Sequence, residues 1–291
     1  MNLASKITQR TIYPAKYLQD DVPQVTRSTV LSRNLSTWLL VLPGILLIGL
    51  FAVPLLALTA RAVNADFLEY VLSTQALAAL RLSLITSLVT VLLTVLMGTP
   101  LAYVLARWNF SGKSVLELLI DLPIVLPPSV AGVALLIAFG RNGLFGPLLR
   151  SMDISLPFTV AAVVIAQIFV AAPLYVRAAR IGFAEIDIQI EEAARVEGAN
   201  QWQLFRHVMF PLARRALLSG AILTWTRALG EFGATMLFAG NLEGVTQTMP
   251  MAIYLGFERN ISVAIALSAV LIGFSIFLLG ITRRLEQKNV H

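Results

Sequence analysis

Long stretches without a charged side chain constrain this chain more than any other feature, because about 20 consecutive apolar residues suffice for a helix to cross a bilayer. Five such runs occur, at 34–60, 82–106, 122–140, 154–176 and 260–282, and a sixth at 216–242 is interrupted by Arg227 and Glu231. Composition agrees: 57% of residues are apolar and 13% charged, where an ordinary globular domain carries roughly a quarter charged. With a mean hydropathy of +0.80, a soluble enzyme, a disordered chain and a nucleic-acid module are all excluded, despite a net charge of +6. The expected class is all-α, a polytopic membrane protein with six transmembrane helices.

The distribution of cations orients the spans. Of the 22 Lys and Arg, 16 fall in the segments 1–35, 107–118, 177–215 and 283–291, and five (Arg61, Arg81, Arg141, Arg150 and Arg259) on the other side, with Arg227 left inside the membrane. Basic loops stay in the cytoplasm, so both termini are expected there, in an inner (plasma) membrane. Residues 1–35 read as a cytoplasmic tail. A cleaved signal peptide does not fit, since the first apolar run is long enough to span, and Asp20 and Asp21 argue against a mitochondrial-type targeting segment.

Cysteine is absent and the two histidines are His207 and His291, which removes disulfides, thiol nucleophiles and thiolate metal sites. No metal site is expected. Gly112-Lys-Ser114 ends like a phosphate-binding loop, but Arg107 stands where the first glycine belongs, so the segment reads as a charged turn and the chain is not expected to hydrolyse ATP. His-Glu-x-x-His, Gly-x-Ser-x-Gly and carboxylate pairs within a span are also missing.

Prolines lie in several spans: Pro43, Pro54, Pro100, Pro123, Pro127, Pro128 and Pro173. Single prolines read as kinks at helix contacts. Three prolines within 122–129 remove three backbone donors, so that segment is expected to be irregular and buried in protein.

The segment 185–211 is too polar to span and too apolar for a linker. Asp187 is a candidate N-cap for a helix through Ala193, Ala194 and Val196, Gly198 suits a left-handed C-terminal cap, and Asn200 with Gln203 fits a capping box for a second short helix. That second helix would project Trp202, Leu204 and Phe205, with Pro211 opening the next span. A surface helical hairpin without a partner is the alternative reading.

Glu192-Ala-Ala, three residues, Gly198, nine residues and Val208-Met-Phe-Pro211 together resemble the EAA loop of ATP-binding-cassette importer permeases. The resemblance covers roughly 36–282 and implies a six-span domain with spans about 36–60, 82–106, 120–140, 156–178, 212–239 and 260–282, a coupling loop at 183–211, and tails at 1–35 and 283–291. It implies that Glu192, Ala193, Ala194, Gly198, Trp202 and Phe205 meet a separate ATPase, which uses ATP and Mg while this chain binds no cofactor. The implied assembly holds two ATPase copies, a second permease chain in the simplest case identical, and an extracytoplasmic oxyanion-binding protein, without nucleic acid. Arg227-Ala-Leu-Gly-Glu-Phe-Gly-Ala-Thr235 and Thr246-Gln-Thr-Met-Pro-Met-Ala-Ile-Tyr254 look like the molybdate and tungstate branch, with sulfate and thiosulfate permeases close behind.

Arg227 and Glu231 stand four residues apart on one helical face. Two readings stay open: a mutually neutralising pair that locks packing, or an arginine beside a translocation path that attracts a dianion. The gate is expected to be lined by Pro127, Pro128, Ser129, Arg227, Gly230, Glu231, Phe232 and Thr235. An ion-coupled secondary transporter should show acidic or histidine relays within spans, where only Glu231 qualifies; an intramembrane enzyme or scaffold would lack the coupling loop.

Overall fold

A computed structural model of the protein describes residues 35–62 and 66–287. The expectations for residues 1–34 and 288–291 lie outside the described residues. Every regular element among them is helical: α1 Leu35–Ala62, α2 Phe67–Val71, α3 Thr74–Arg107, α4 Lys113–Val125, α5 Pro128–Phe139, α6 Gly146–Ser151, α7 Val160–Ala184, α8 Ile188–Val196, α9 Gln201–Leu204, α10 Phe210–Leu229, α11 Gly233–Ala239, α12 Met249–Arg259 and α13 Ile261–Gln287. By internal packing the chain divides after Leu55 into two units. The first contains the start of α1, whose side chains from Leu42 to Leu55 are largely exposed, as suits a helix that lipid or other protein must cover.

Four helices are long and apolar enough to cross a membrane among the described residues: Val41–Ala62, Thr74–Arg107, Val160–Ala184 and Ile261–Ile281, and α4 with α5 would make a fifth as one bent span. The region 212–239 is not among these four, because Arg214, Arg215 and Arg227 punctuate α10 and the helix stops at Leu229. Helix ends differ from the edges of the uncharged runs for local reasons. Ser73 accepts the Ala76 N–H and starts α3 eight residues before the run at 82. Thr159 accepts the Ala162 N–H and starts α7 within the run that opens at 154.

The second unit is built on α3 and α7, which pack along each other with α10 against both. Its core combines alanines such as Ala102, Ala179 and Ala213 with the larger side chains of Tyr175, Phe183, Leu204 and Met209. A seam of hydroxyls runs through it. Ser83, Thr86, Ser87, Thr90, Thr94 and Thr99 of α3 are all buried; Thr90 donates to Gln167 Oε1 at 3.0 Å, Thr99 and Tyr175 share a 2.6 Å bond, and Trp225 Nε1 donates to Ser87 at 2.9 Å. Between membrane helices such side chains allow close approach and cross-helix bonds that lipid cannot replace.

The proline-rich segment corrects one expectation. It is irregular only around Leu126 and Pro127, where α4 and α5 meet at 119°, and Pro127, Pro128 and Ser129 are exposed, not buried. Pro123 continues α4, whereas Pro127 is the N-cap of α5 and Pro128 its first residue. Those two positions need no backbone donor, so the prolines strand fewer bonds than their number suggests.

Candidate functional site: the 185–211 loop and the broken helix at 230–232

The loop folds by local signals. Asp187 accepts the Gln189 N–H at 2.9 Å and begins α8. At its end Gly198 has φ +87°, the left-handed region that only glycine adopts cheaply. The Gly198 N–H donates to the Arg195 carbonyl and the Ala199 N–H to that of Ala194, the two bonds of a Schellman cap. Asn200 then accepts from Gln203 N while Gln203 Oε1 accepts from Asn200 N, both at 2.9 Å, and the expected capping box is present.

The second helix differs from the expectation. After one turn, α9 passes through a π-helical turn at Phe205–Met209 straight into α10, with the Phe210 N–H donating to the Phe205 carbonyl. Pro211 supplies the reason, since its ring would clash with the carbonyl four residues back in a regular α-helix and a widened turn relieves that. Because the helix runs on, Leu204 turns fully inward and Phe205 is half-buried, and only Trp202 of the three projects, at 63% exposure. Phe205 sits among Tyr103, Phe183, Trp202 and Phe210, with ring centroids 5.2 to 6.2 Å away. Glu192, Ala193 and Gly198 lie on the open surface, and Ala194 is half-buried.

Two charged contacts fasten the loop to α3. Arg107, the last residue of α3, donates from Nη2 to the Ile186 carbonyl at 2.7 Å. Its Nε lies 3.3 Å from Glu191 Oε2, an ion contact without hydrogen-bond alignment. Glu191 Oε1 accepts from Arg195 Nη2 at 2.6 Å. One turn earlier on α3, the Tyr103 hydroxyl accepts from Gln201 Nε2 at 3.0 Å.

The second region is the break between α10 and α11. Arg227 Nη1 donates to Glu231 Oε2 at 2.7 Å, and Glu231 Oε1 accepts the Ala234 N–H at 2.9 Å. One carboxylate thus pairs with α10 and satisfies a free amide at the start of α11. Its side chain is 1% exposed and that of Arg227 34%. Gly230 ends α10, Phe232 meets the Tyr254 ring at 5.4 Å, and Thr235 is fully buried with its hydroxyl unpartnered. A Cβ on Gly233 would stand 2.8 Å from Pro128 Cβ, so the broken helix and the proline-rich bend lie against each other, with α11 packed on α5. The structure brings the expected gate segments together. It also separates Pro127, Pro128, Ser129 and Gly230, which are exposed, from Glu231 and Thr235, which are not.

On a helical membrane body, a coupling loop that precedes the 20-residue helix α10 and a break with a buried ion pair that follows it match one known family. The sequence model described as "Binding-protein-dependent transport system inner membrane component" matches residues 98–291. The chain belongs to this family. It is a permease subunit of an ATP-binding-cassette importer, the pore component and not a catalytic one. It is 39% identical over 231 residues to the molybdenum transport system permease ModB of Mycobacterium tuberculosis, covering 79% of this chain and 88% of that one. It is 33% identical over 256 residues to the sulfate transport system permease CysT of Escherichia coli, covering 88% and 92%. Its fold is that of a bacterial ABC transporter involved in the import of alginate, with a TM-score of 0.65 and 17% identity over 86% of this chain and 93% of that one.

In this permease, sequence reasoning missed Arg107, Glu191 and Tyr103, whose roles depend on contacts between α3 and the loop. The adjacent Glu191-Glu192 pair carries no sequence signal for which carboxylate turns inward, because that depends on where α8 meets α3. Among the described residues no group of three His, Cys, Asp or Glu could hold a metal ion.

Proposed function

We propose that this permease forms the translocation path for molybdate or tungstate, with loop 183–211 receiving the motion of a separate ATPase that uses ATP and Mg. The observation that carries the substrate class is the Arg227–Glu231 pair: both carboxylate oxygens are engaged and the carboxylate is buried, while the guanidinium keeps a third of its surface open. A planar cation of this kind suits a tetrahedral oxyanion. The likeness to molybdenum permeases and the Thr246–Tyr254 stretch favour molybdate within that class.

The assembly on this reading holds two copies of this chain, two ATPase chains and an extracytoplasmic oxyanion-binding protein. Each copy has six spans, with 212–239 crossing as the broken pair α10 and α11 and both termini in the cytoplasm. Glu192, Ala193, Gly198 and Trp202 supply the surface that meets the ATPase, and Phe205 seats it from beneath. A sulfate or thiosulfate importer is the second reading, favoured by the larger share of both chains that the sulfate relative covers.

Competition decides the substrate. In proteoliposomes holding the full importer, unlabelled tungstate is expected to suppress labelled molybdate uptake while equal sulfate does not. Equal suppression by sulfate overturns the assignment in favour of the second reading.

A further inference from the structure

Glu191 is the most deeply buried carboxylate of the loop, with 7% of its side chain exposed, and it lies between two arginines that are 11% (Arg107) and 53% (Arg195) exposed. An ion held that far from water is expensive unless both its partners and its geometry are kept. Here the geometry ties two separate parts of the protein together. Arg195 belongs to α8 itself, four residues on, and fixes the Glu191 rotamer from within the helix. Arg107 ends α3 and grips α8 twice, at the Glu191 carboxylate and at the Ile186 carbonyl just before its N-cap. Tyr103 lies one turn earlier on α3 and accepts from Gln201 of α9. One face of α3 therefore holds both halves of the loop, and α3 is the helix that packs along α7 and α10 through the buried hydroxyl seam.

The aromatic cluster around Phe205 also anchors the loop, but it does so at α9 and the π-helical turn. For α8, the helix carrying Glu192, Ala193 and Ala194, the charged attachment to α3 is Arg107. The apolar side chains Ile188, Ile190 and Val196 of α8 are exposed, whereas one Arg107 guanidinium donates to the Ile186 carbonyl and sets its charge against the Glu191 carboxylate, which resists displacement of α8.

We propose that Glu191 and Arg107 form a lever that makes movement of the coupling helix into movement of α3, so that both are positioning residues for transport. They hold α8 at the angle at which force from the ATPase reaches the pore. This rests on the coupling-loop reading of 183–211.

The test uses the full importer in proteoliposomes and reads substrate moved per ATP hydrolysed, together with recovery of the ATPase on the tagged permease. Coupling between sites is commonly worth about 5–150-fold, so Glu191→Gln is expected to lower transport per ATP by about fivefold or more while ATPase recovery stays within about twofold. Arg107→Gln is expected to do the same or more, since it also loses the Ile186 bond, and the double variant to be no worse than Arg107→Gln, since the Glu191 contact is already lost there. Arg107→Lys keeps the charge but replaces the guanidinium that serves both Ile186 and Glu191 with a single point charge, and is expected to fall between wild type and Arg107→Gln; it serves where a neutral variant fails to reach the membrane.

Wild-type transport per ATP in Glu191→Gln overturns the lever, and so does a fall that merely follows loss of ATPase recovery, which marks simple docking. Gly198→Arg separates this failure from that of the underlying reading. If Gly198→Arg abolishes recovery and uptake while Glu191→Gln is silent, only the lever fails. If Gly198→Arg is silent too, the coupling loop itself is wrong.

Discussion

Arg227 and Glu231 hold each other at 2.7 Å, yet one side chain is 34% exposed and the other 1%, and that difference predicts unequal consequences for two changes that each remove one charge. Arg227→Gln strands a carboxylate in the body of the protein with the Ala234 N–H still bonded to it. An uncompensated buried charge costs about 3–5 kcal/mol. Glu231→Gln keeps an amide oxygen for Ala234 N and leaves the guanidinium on the side that is a third open, so the loss should be nearer one charge-assisted hydrogen bond, about 1.5–3 kcal/mol and at the low end given that exposure. Arg227→Gln is thus expected to be the less stable of the two by about 2 kcal/mol. The double variant removes the stranded charge and should recover part of the loss, a non-additivity of about 0.5–3 kcal/mol. Reversible unfolding of the purified permease in mixed micelles measures all three. Finding Glu231→Gln less stable than Arg227→Gln would refute the reasoning. The double variant also separates the two readings of the pair: if it merely locks packing, a folded double variant keeps uptake, whereas a guanidinium that meets the oxyanion makes it lose uptake.

Two further outcomes follow from the gate region. On this cysteine-free chain, Ser129→Cys should react quickly with an aqueous thiol reagent in the assembled importer and Thr235→Cys slowly, since Ser129 is exposed and Thr235 fully buried; equal fast labelling of both would contradict the burial of α11 against α5. Gly233→Ala places a Cβ 2.8 Å from Pro128 Cβ and 3.3 Å from the Pro128 carbonyl carbon. Backbone must give way, so a loss of about 1–3 kcal/mol is expected, with an unchanged unfolding midpoint as the contrary result.

Much of the loop was legible in the sequence because its boundaries are made locally. Asp187, Gly198, Asn200 and Gln203 each act within three residues of themselves, and cap chemistry of that kind needs no knowledge of the rest of the fold. Phe205 was misjudged because its direction depends on whether the helix stops after one turn, and the widened turn before Pro211 carries it on. Counting charges located the long helices but could say nothing about the hydroxyl seam, since Ser and Thr are silent in such a count and only the packing of α3 on α7 gives them partners. Glu191 shows the same limit from the other side. In the sequence it is interchangeable with Glu192; in the fold one is buried against Arg107 and the other stands on the surface. The Arg227–Glu231 pairing was readable from spacing alone, but not which partner would be sealed from water, because that depends on α11 turning back over Glu231 to use its second oxygen.

The energy source is the most direct test of the central claim that this permease is driven through its loop by a separate ATPase. In proteoliposomes containing this chain, its ATPase and the binding protein, labelled molybdate is expected to accumulate when ATP is supplied on the ATPase side, and to stop when a non-hydrolysable analogue replaces it. Accumulation driven by an imposed proton or sodium gradient without ATP would contradict the account.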